Sequence, residues 1–118
     1  MATNNKHDSL ARLIRALKQL SIEQDVKLWK RIATELEKPT RQRRVVNVFK
    51  IQQHAKDGET VIVPGKVLGV GELKREVNVA ALDFSEEAKQ KITSHGKAMS
   101  IDELMSKNPK AQKIKILG

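Results

Sequence analysis

Cysteine is absent from the chain, and with it go disulfides, thiolate zinc sites and cysteine nucleophiles. Tyrosine is absent too, and the aromatic residues reduce to Trp29, Phe49 and Phe84. Readers of single-stranded RNA stack splayed bases on several exposed rings. Three rings, with Trp29 placed to face a core, make no such platform, so a nucleic-acid partner would be a folded one touched at phosphate and sugar. Long apolar runs are missing as well. The longest is Val79-Ala80-Ala81-Leu82, too short for a membrane-spanning helix or a signal-peptide core. His7, His54 and His95 stand apart from one another and from carboxylates at metal-ligand spacing. No serine sits in a nucleophile elbow. The pairs Glu86-Glu87 and Asp102-Glu103 fall in the first turns of predicted helices, where the helix dipole accounts for them. The expectation is a protein of the cell interior with no enzymatic activity, metal, cofactor or membrane contact.

What the chain has in excess is positive charge. Its 118 residues (13.3 kDa) hold 23 Lys and Arg against 14 Asp and Glu, a net charge of +9 with a pI near 10.0. One domain fits this length, and 39% hydrophobic residues suffice for a core. The excess exceeds what solubility requires and predicts a polyanionic partner. It is also uneven, because eleven of the cations and only five carboxylates lie within residues 1–44. The chain divides into a basic helical part, 1–44, and a more neutral body, 45–118, within a single 1–118 domain.

Leu10, Leu13, Ile14 and Leu17 recur at helical spacing and predict a first helix over 8–20, with Arg12, Arg15 and Lys18 on its far side. Ser21-Ile22-Glu23-Gln24 has the form of a capping box and predicts a second helix opening there. Ile22, Val26, Trp29, Ala33 and Leu36 would line its apolar face, Lys27, Lys30 and Arg31 would point away, and Pro39 would end it. The basic run Arg41, Arg43, Arg44 reads as an extended connector. Beyond it, Val45–Val48 predicts a strand, Phe49–Ala55 a helix, and Thr60–Val63 a strand stopped by Pro64-Gly65. A glycine-punctuated loop around Val67-Leu68 and a strand over Val77–Leu82 follow. Ser85 predicts a helix cap, Ser100-Ile101-Asp102-Glu103 a capping box, and Asn108-Pro109 a break. Lys113–Ile116 alternates as a half-exposed final strand. The fold class expected is α/β: an N-terminal helical hairpin followed by a small body of irregular strand-strand-helix turns.

The most distinctive segment runs from Pro64 to Arg75. A dinucleotide fingerprint would need a third glycine where Lys74 stands, and a phosphate loop would need a Ser or Thr after Gly-Lys where Val67 stands. A small nucleotide-binding enzyme using Gly65–Gly71 is therefore the rival reading. Two other readings of Gly65, Gly69 and Gly71 stand open. They serve tight turns between strands, or they bring backbone amides, with Lys66, Lys74 and Arg75, against RNA phosphates.

The stretch Asp57–Leu82 closely resembles archaeal and eukaryotic large-subunit ribosomal protein eighteen of the "e" series, which shares its C-terminal half with bacterial large-subunit protein fifteen. The likeness continues through Ser85–Ser94 and Ser100–Met105, and upstream through Leu13–Arg15, Trp29, Pro39 and Val46-Asn47. The resemblance implies a structural constituent of the archaeal large ribosomal subunit, with large-subunit rRNA and neighbouring ribosomal proteins as partners and no homo-oligomer. Arg12, Arg15, Lys18, Arg41, Arg43, Arg44, Lys66, Lys74 and Arg75, with the three glycines, are the expected RNA contacts.

Overall fold

The computed structural model describes residues 6–39 and 43–117. The leucine stripe of the first segment forms helix α1, Lys6–Gln24, and Leu13 and Leu17 are buried. The expected break at Ser21 does not occur. Instead α1 runs on to Gln24 and closes at Asp25, whose φ is 55°. The Val26 N–H donates to Ser21 O (3.0 Å) and the Asp25 N–H to Ile22 O (3.4 Å), the paired bonds of a left-handed helix stop. Ser21 and Gln24 are thus the end of one helix rather than the cap of the next. Ile22, five residues past Leu17, is rotated about 140° from the buried stripe and is 81% exposed instead of lining a core. Helix α2, Lys27–Leu36, starts from an uncapped Val26 and buries Trp29, Ile32, Ala33 and Leu36.

The body is one sheet of five strands with α3, α4 and α5 between them. In chain order the elements are β1 (Arg44–Asn47), α3 (Val48–His54), β2 (Thr60–Leu68), β3 (Asn78–Phe84), α4 (Glu86–Thr93), β4 (Lys97–Ser100), α5 (Ile101–Lys107) and β5 (Ile114–Ile116). Every pairing is parallel, in the order β1-β2-β3-β4. Strand β5 shares an edge of β2 with β1: β1 lies beside Gly65–Leu68 and β5 beside Thr60–Ile62. A parallel sheet needs cover on both faces, and the central strands divide their side chains accordingly. Val61, Val63, Val79 and Ala81 pack with α3 and α4 on one face, while Ile62 and Ala80 pack with α1, α2 and α5 on the other. Parallel connections keep one hand, so when the chain reverses direction from β4 back to β5, its helix α5 changes face.

Two further expectations need correction. Strand β2 does not stop at Pro64-Gly65 but crosses them, with a register shift against β3 between Val63 and Lys66. The missing N–H of a proline is tolerated at such an irregularity, so the pair bends the strand without ending it. Val67 and Leu68 are consequently strand residues, and the loop is 69–77. Strand β4 had no sequence signal, because Ala98 and Met99 are not β-formers and only pairing with β3 makes them a strand. The Ser85 and Ser100 caps form as expected, with Oγ accepting the N–H of Ala88 (3.2 Å) and of Glu103 (3.1 Å).

Candidate nucleic-acid interface

The outer surface of the helical layer follows directly from the buried stripes of α1 and α2. Arg12, Arg15 and Lys18 are exposed opposite Leu13 and Leu17, and Lys27, Lys30 and Arg31 are exposed opposite Trp29, Ala33 and Leu36. Lys18 is ion-paired, its Nζ standing 2.7 Å from Glu37 Oε2. Among the described residues no carboxylate lies within ion-pair distance of Arg12, Arg15, Lys27, Lys30 or Arg31. Five cations with open donors on a rigid layer make an electrostatic footprint for phosphates. The α2 cations are legible from their spacing opposite Trp29, although only those of α1 were expected at the interface.

The arginine connector is less available than its sequence suggests. Arg41 lies outside the described residues. Arg43 Nε donates to Lys38 O (3.1 Å), which ties the chain back to the end of α2. Arg44 Nε donates to Glu35 Oε1 (3.1 Å), and Lys38 Nζ lies 3.2 Å from the same oxygen. The Glu35 side chain is only 12% exposed. Burial by itself would raise its pKa, but the hydrogen bonds and charges of Lys38 and Arg44 together outweigh burial and hold it below the ordinary 4.5. A carboxyl lowered on folding adds stability that is complete above its unfolded value and is lost as pH falls through the folded one. Acid unfolding followed by circular dichroism should therefore show a loss below about pH 4.5. Glu35→Gln is expected to flatten that part of the profile.

The glycine-rich segment is held together by protein contacts. Gly65, inside β2, is in register with Arg44 of β1, and a Cβ there would overlap the Arg44 carbonyl oxygen. A Cβ on Gly69 would stand 2.7 Å from Glu87 Cβ, and one on Gly71, at φ +99°, would overlap Phe49 Cβ. The Phe49 N–H donates to Val70 O (3.1 Å). Lys91, which the sequence did not single out, donates from Nζ to Gly69 O (2.7 Å) and Gly71 O (2.6 Å) and lies 3.1 Å from Glu87 Oε2. Two carbonyls without a strand partner are thus fastened by one ammonium. Lys91→Met keeps the stem and removes these bonds. It is expected to cost about 1–3 kcal/mol in urea unfolding and to speed amide exchange across residues 69–76.

The flanking cations differ in availability. Arg75 Nη1 donates to Gln52 O (2.7 Å) and Ala55 O (2.6 Å), closing the C-terminal end of α3. The Lys66 ammonium is exposed and stands 3.9 Å from Asp83 Oδ2. Lys74 is exposed, its backbone N–H bonded to Gln52 Oε1 (2.8 Å). A nucleotide phosphate loop delivers its glycines to a helix N-terminus. Here Gly69 and Gly71 lead into the crossover to β3 rather than into a helix, and the helix N-terminus nearest Gly69, that of α4, is packed against it by Glu87 and Ala88. Among the described residues no group of three His, Asp or Glu could hold a metal ion, and no helix is long and apolar enough to cross a membrane.

Fold and surface together define a small basic protein of three α-β-α layers, with a cation-studded helical face. Residues 26–100 match the family described as ribosomal proteins 50S-L15, 50S-L18e and 60S-L27a. The large ribosomal subunit protein eL18 of Methanospirillum hungatei is 51% identical over 109 residues, spanning 92% of this chain and 90% of that protein. The eL18 of Methanococcus maripaludis is 44% identical over 119 residues, 100% of this chain and 97% of that protein. That of Methanothermobacter thermautotrophicus is 43% identical over 110 residues, 92% and 91% respectively. The chain belongs to this family of ribosomal proteins, as the Asp57–Leu82 stretch indicated.

Proposed function

We propose that the chain is a non-catalytic structural component of the archaeal large ribosomal subunit that holds folded large-subunit rRNA through phosphate and sugar contacts. The observation that carries this reading is the set of five open cations, Arg12, Arg15, Lys27, Lys30 and Arg31, on a helical layer anchored to the sheet by buried Trp29 and Ile32. Cations on fixed helices neutralise phosphates with no backbone ordering at the moment of binding, only that of their own side chains. Lys66 and Lys74 extend the contact to the sheet side. The helical part, 1–44, and the body, 45–118, act as one binding unit, since residues of both form the core around Trp29. The place of work is the ribosome in the cytoplasm, beside neighbouring large-subunit proteins.

The test is a salt titration of binding to a large-subunit rRNA fragment. For the parent, log K is expected to fall linearly with log salt. In Arg12→Ala/Arg15→Ala/Lys30→Ala/Arg31→Ala, the slope should shrink by about 0.7–0.9 for each phosphate no longer neutralised. Its thermal midpoint should stay close to the parent's, because exposed charges contribute little to folding. A parent slope near zero, or a variant slope equal to the parent's, would overturn the reading.

A further inference from the structure

One region of this basic chain has the opposite sign. Between α1 and α5 lies an open groove of about 390 Å³. Its floor is apolar, made by half-buried Ala16, Leu20 and Met105, and its walls carry Gln19, Glu23 and Asp102. Gln19 Nε2 donates to Glu23 Oε2 (3.0 Å), which fixes that carboxylate on the wall. Among the described residues no cation lies within ion-pair distance of Glu23, Asp25 or Asp102. The first turn of α5 accounts for Asp102, but Glu23 and Asp25 stand at the C-terminal end of α1, where the helix dipole disfavours negative charge. That last turn holds no basic residue. The negative helix end, Glu23 and Asp102 therefore add their fields at the groove, on a protein whose net charge is +9.

We infer that this groove is the docking site for an extended, lysine- or arginine-bearing segment of a neighbouring polypeptide. The inference rests on the chain's place in the large subunit. A long cationic side chain matches both halves of the groove: its methylenes cover Leu20 and Met105, and its head reaches Glu23 and Asp102. RNA phosphates are repelled by the same carboxylates, so this side of the helical layer faces protein while the side bearing Arg12 and Arg15 faces RNA.

The experiment places the photoreactive residue benzoylphenylalanine at Ser106, on the groove wall, in the full chain, which is then assembled into archaeal large subunits and irradiated. The expected product is a crosslink to a Lys- or Arg-bearing segment of another ribosomal protein. Glu23→Lys/Asp102→Lys should lower its yield about tenfold or more, the effect of removing one charge-assisted hydrogen bond. It should bind the rRNA fragment at least as tightly as the parent, since two repelling carboxylates become cations. The neutral pair Glu23→Gln/Asp102→Asn, which adds no repulsion, should give an intermediate yield. Crosslinks only to RNA, only to a second copy of this chain, or to nothing despite full incorporation would overturn the inference while leaving the ribosomal reading intact. So would a yield indifferent to charge reversal. A parent chain that never enters the subunit would overturn both.

Discussion

Trp29→Ala is expected to lower the unfolding free energy by about 3–5 kcal/mol. Trp29 is fully buried and heads the largest buried side chains of the protein. It packs among Leu17, Ile32, Ile62, Ala80 and Leu104, which belong to both helices of the hairpin, two strands and α5, so the cavity would open where the two layers meet. Its Nε1–H also donates to Pro109 O (2.7 Å), holding the turn that leads into β5. That turn contains Ala111 and Lys113 at φ 53° and 59° and is pinned by the Asn108 amide, which donates to Gln112 O and accepts from its N–H. Trp29→Phe separates the two effects. It keeps most of the packing and should cost mainly the hydrogen bond and its unsatisfied carbonyl, about 1–3 kcal/mol. Urea unfolding followed by circular dichroism measures both variants. A cost below about 1 kcal/mol for Trp29→Ala would mean that the helical layer closes over the cavity.

Gly65→Ala should be as severe, for a backbone reason. Its new methyl meets not a movable side chain but the Arg44 carbonyl, in the neighbouring strand at the same register position. Relief requires β1 to move away from β2. The expected cost is about 3 kcal/mol, at the upper end of overpacking. Gly71→Ala combines a left-handed φ with a clash against Phe49 and should cost somewhat less, since α3 can shift outward. Gly58→Ala is the control: φ is +85° with nothing within 4 Å, so only conformational strain of about 1 kcal/mol is added. In all three, rRNA affinity of the folded fraction should remain at the parent level. An affinity loss at Gly69 or Gly71 without a stability loss would instead return those glycines to the RNA interface, the second of the two readings their spacing allows.

Much of this architecture was legible locally. The stripe Leu10–Leu17, buried Trp29, Ala33 and Leu36 of α2, the Ser85 and Ser100 caps and the Asn108-Pro109 break each depend on a few neighbouring residues and appear where the pattern puts them, whereas fully buried Ile32 lay outside the expected face. Errors arose where local punctuation met long-range pairing. Ser21-Ile22-Glu23-Gln24 has a capping form, yet the helix runs through it because Asp25 accepts the left-handed conformation one turn later. Pro64-Gly65 is a stop signal by composition, yet β2 continues because β3 on one side and β1 on the other supply partners up to Leu68. The basic character of the helical layer was legible as a sum of charges, less so the partners of individual cations. Arg44 and Arg75 look like phosphate ligands in a basic sequence, and the fold gives each partners of its own, Glu35 for one and the carbonyls of Gln52 and Ala55 for the other.

Sequence alone was enough to determine the excess of positive charge, the exclusion of thiol chemistry, the amphipathic helical pair and the family, because net charge, composition, period and an uninterrupted motif are all readable within the chain's own order. Tertiary structure decided which cations stay open, why three glycines are needed, and where the anionic groove lies. Each of these depends on residues brought together across tens of positions, as Gly71 with Phe49, Lys91 with Gly69, and Glu23 with Asp102 are. Parallel pairing makes this separation unavoidable, since neighbouring parallel strands are joined only by long crossovers.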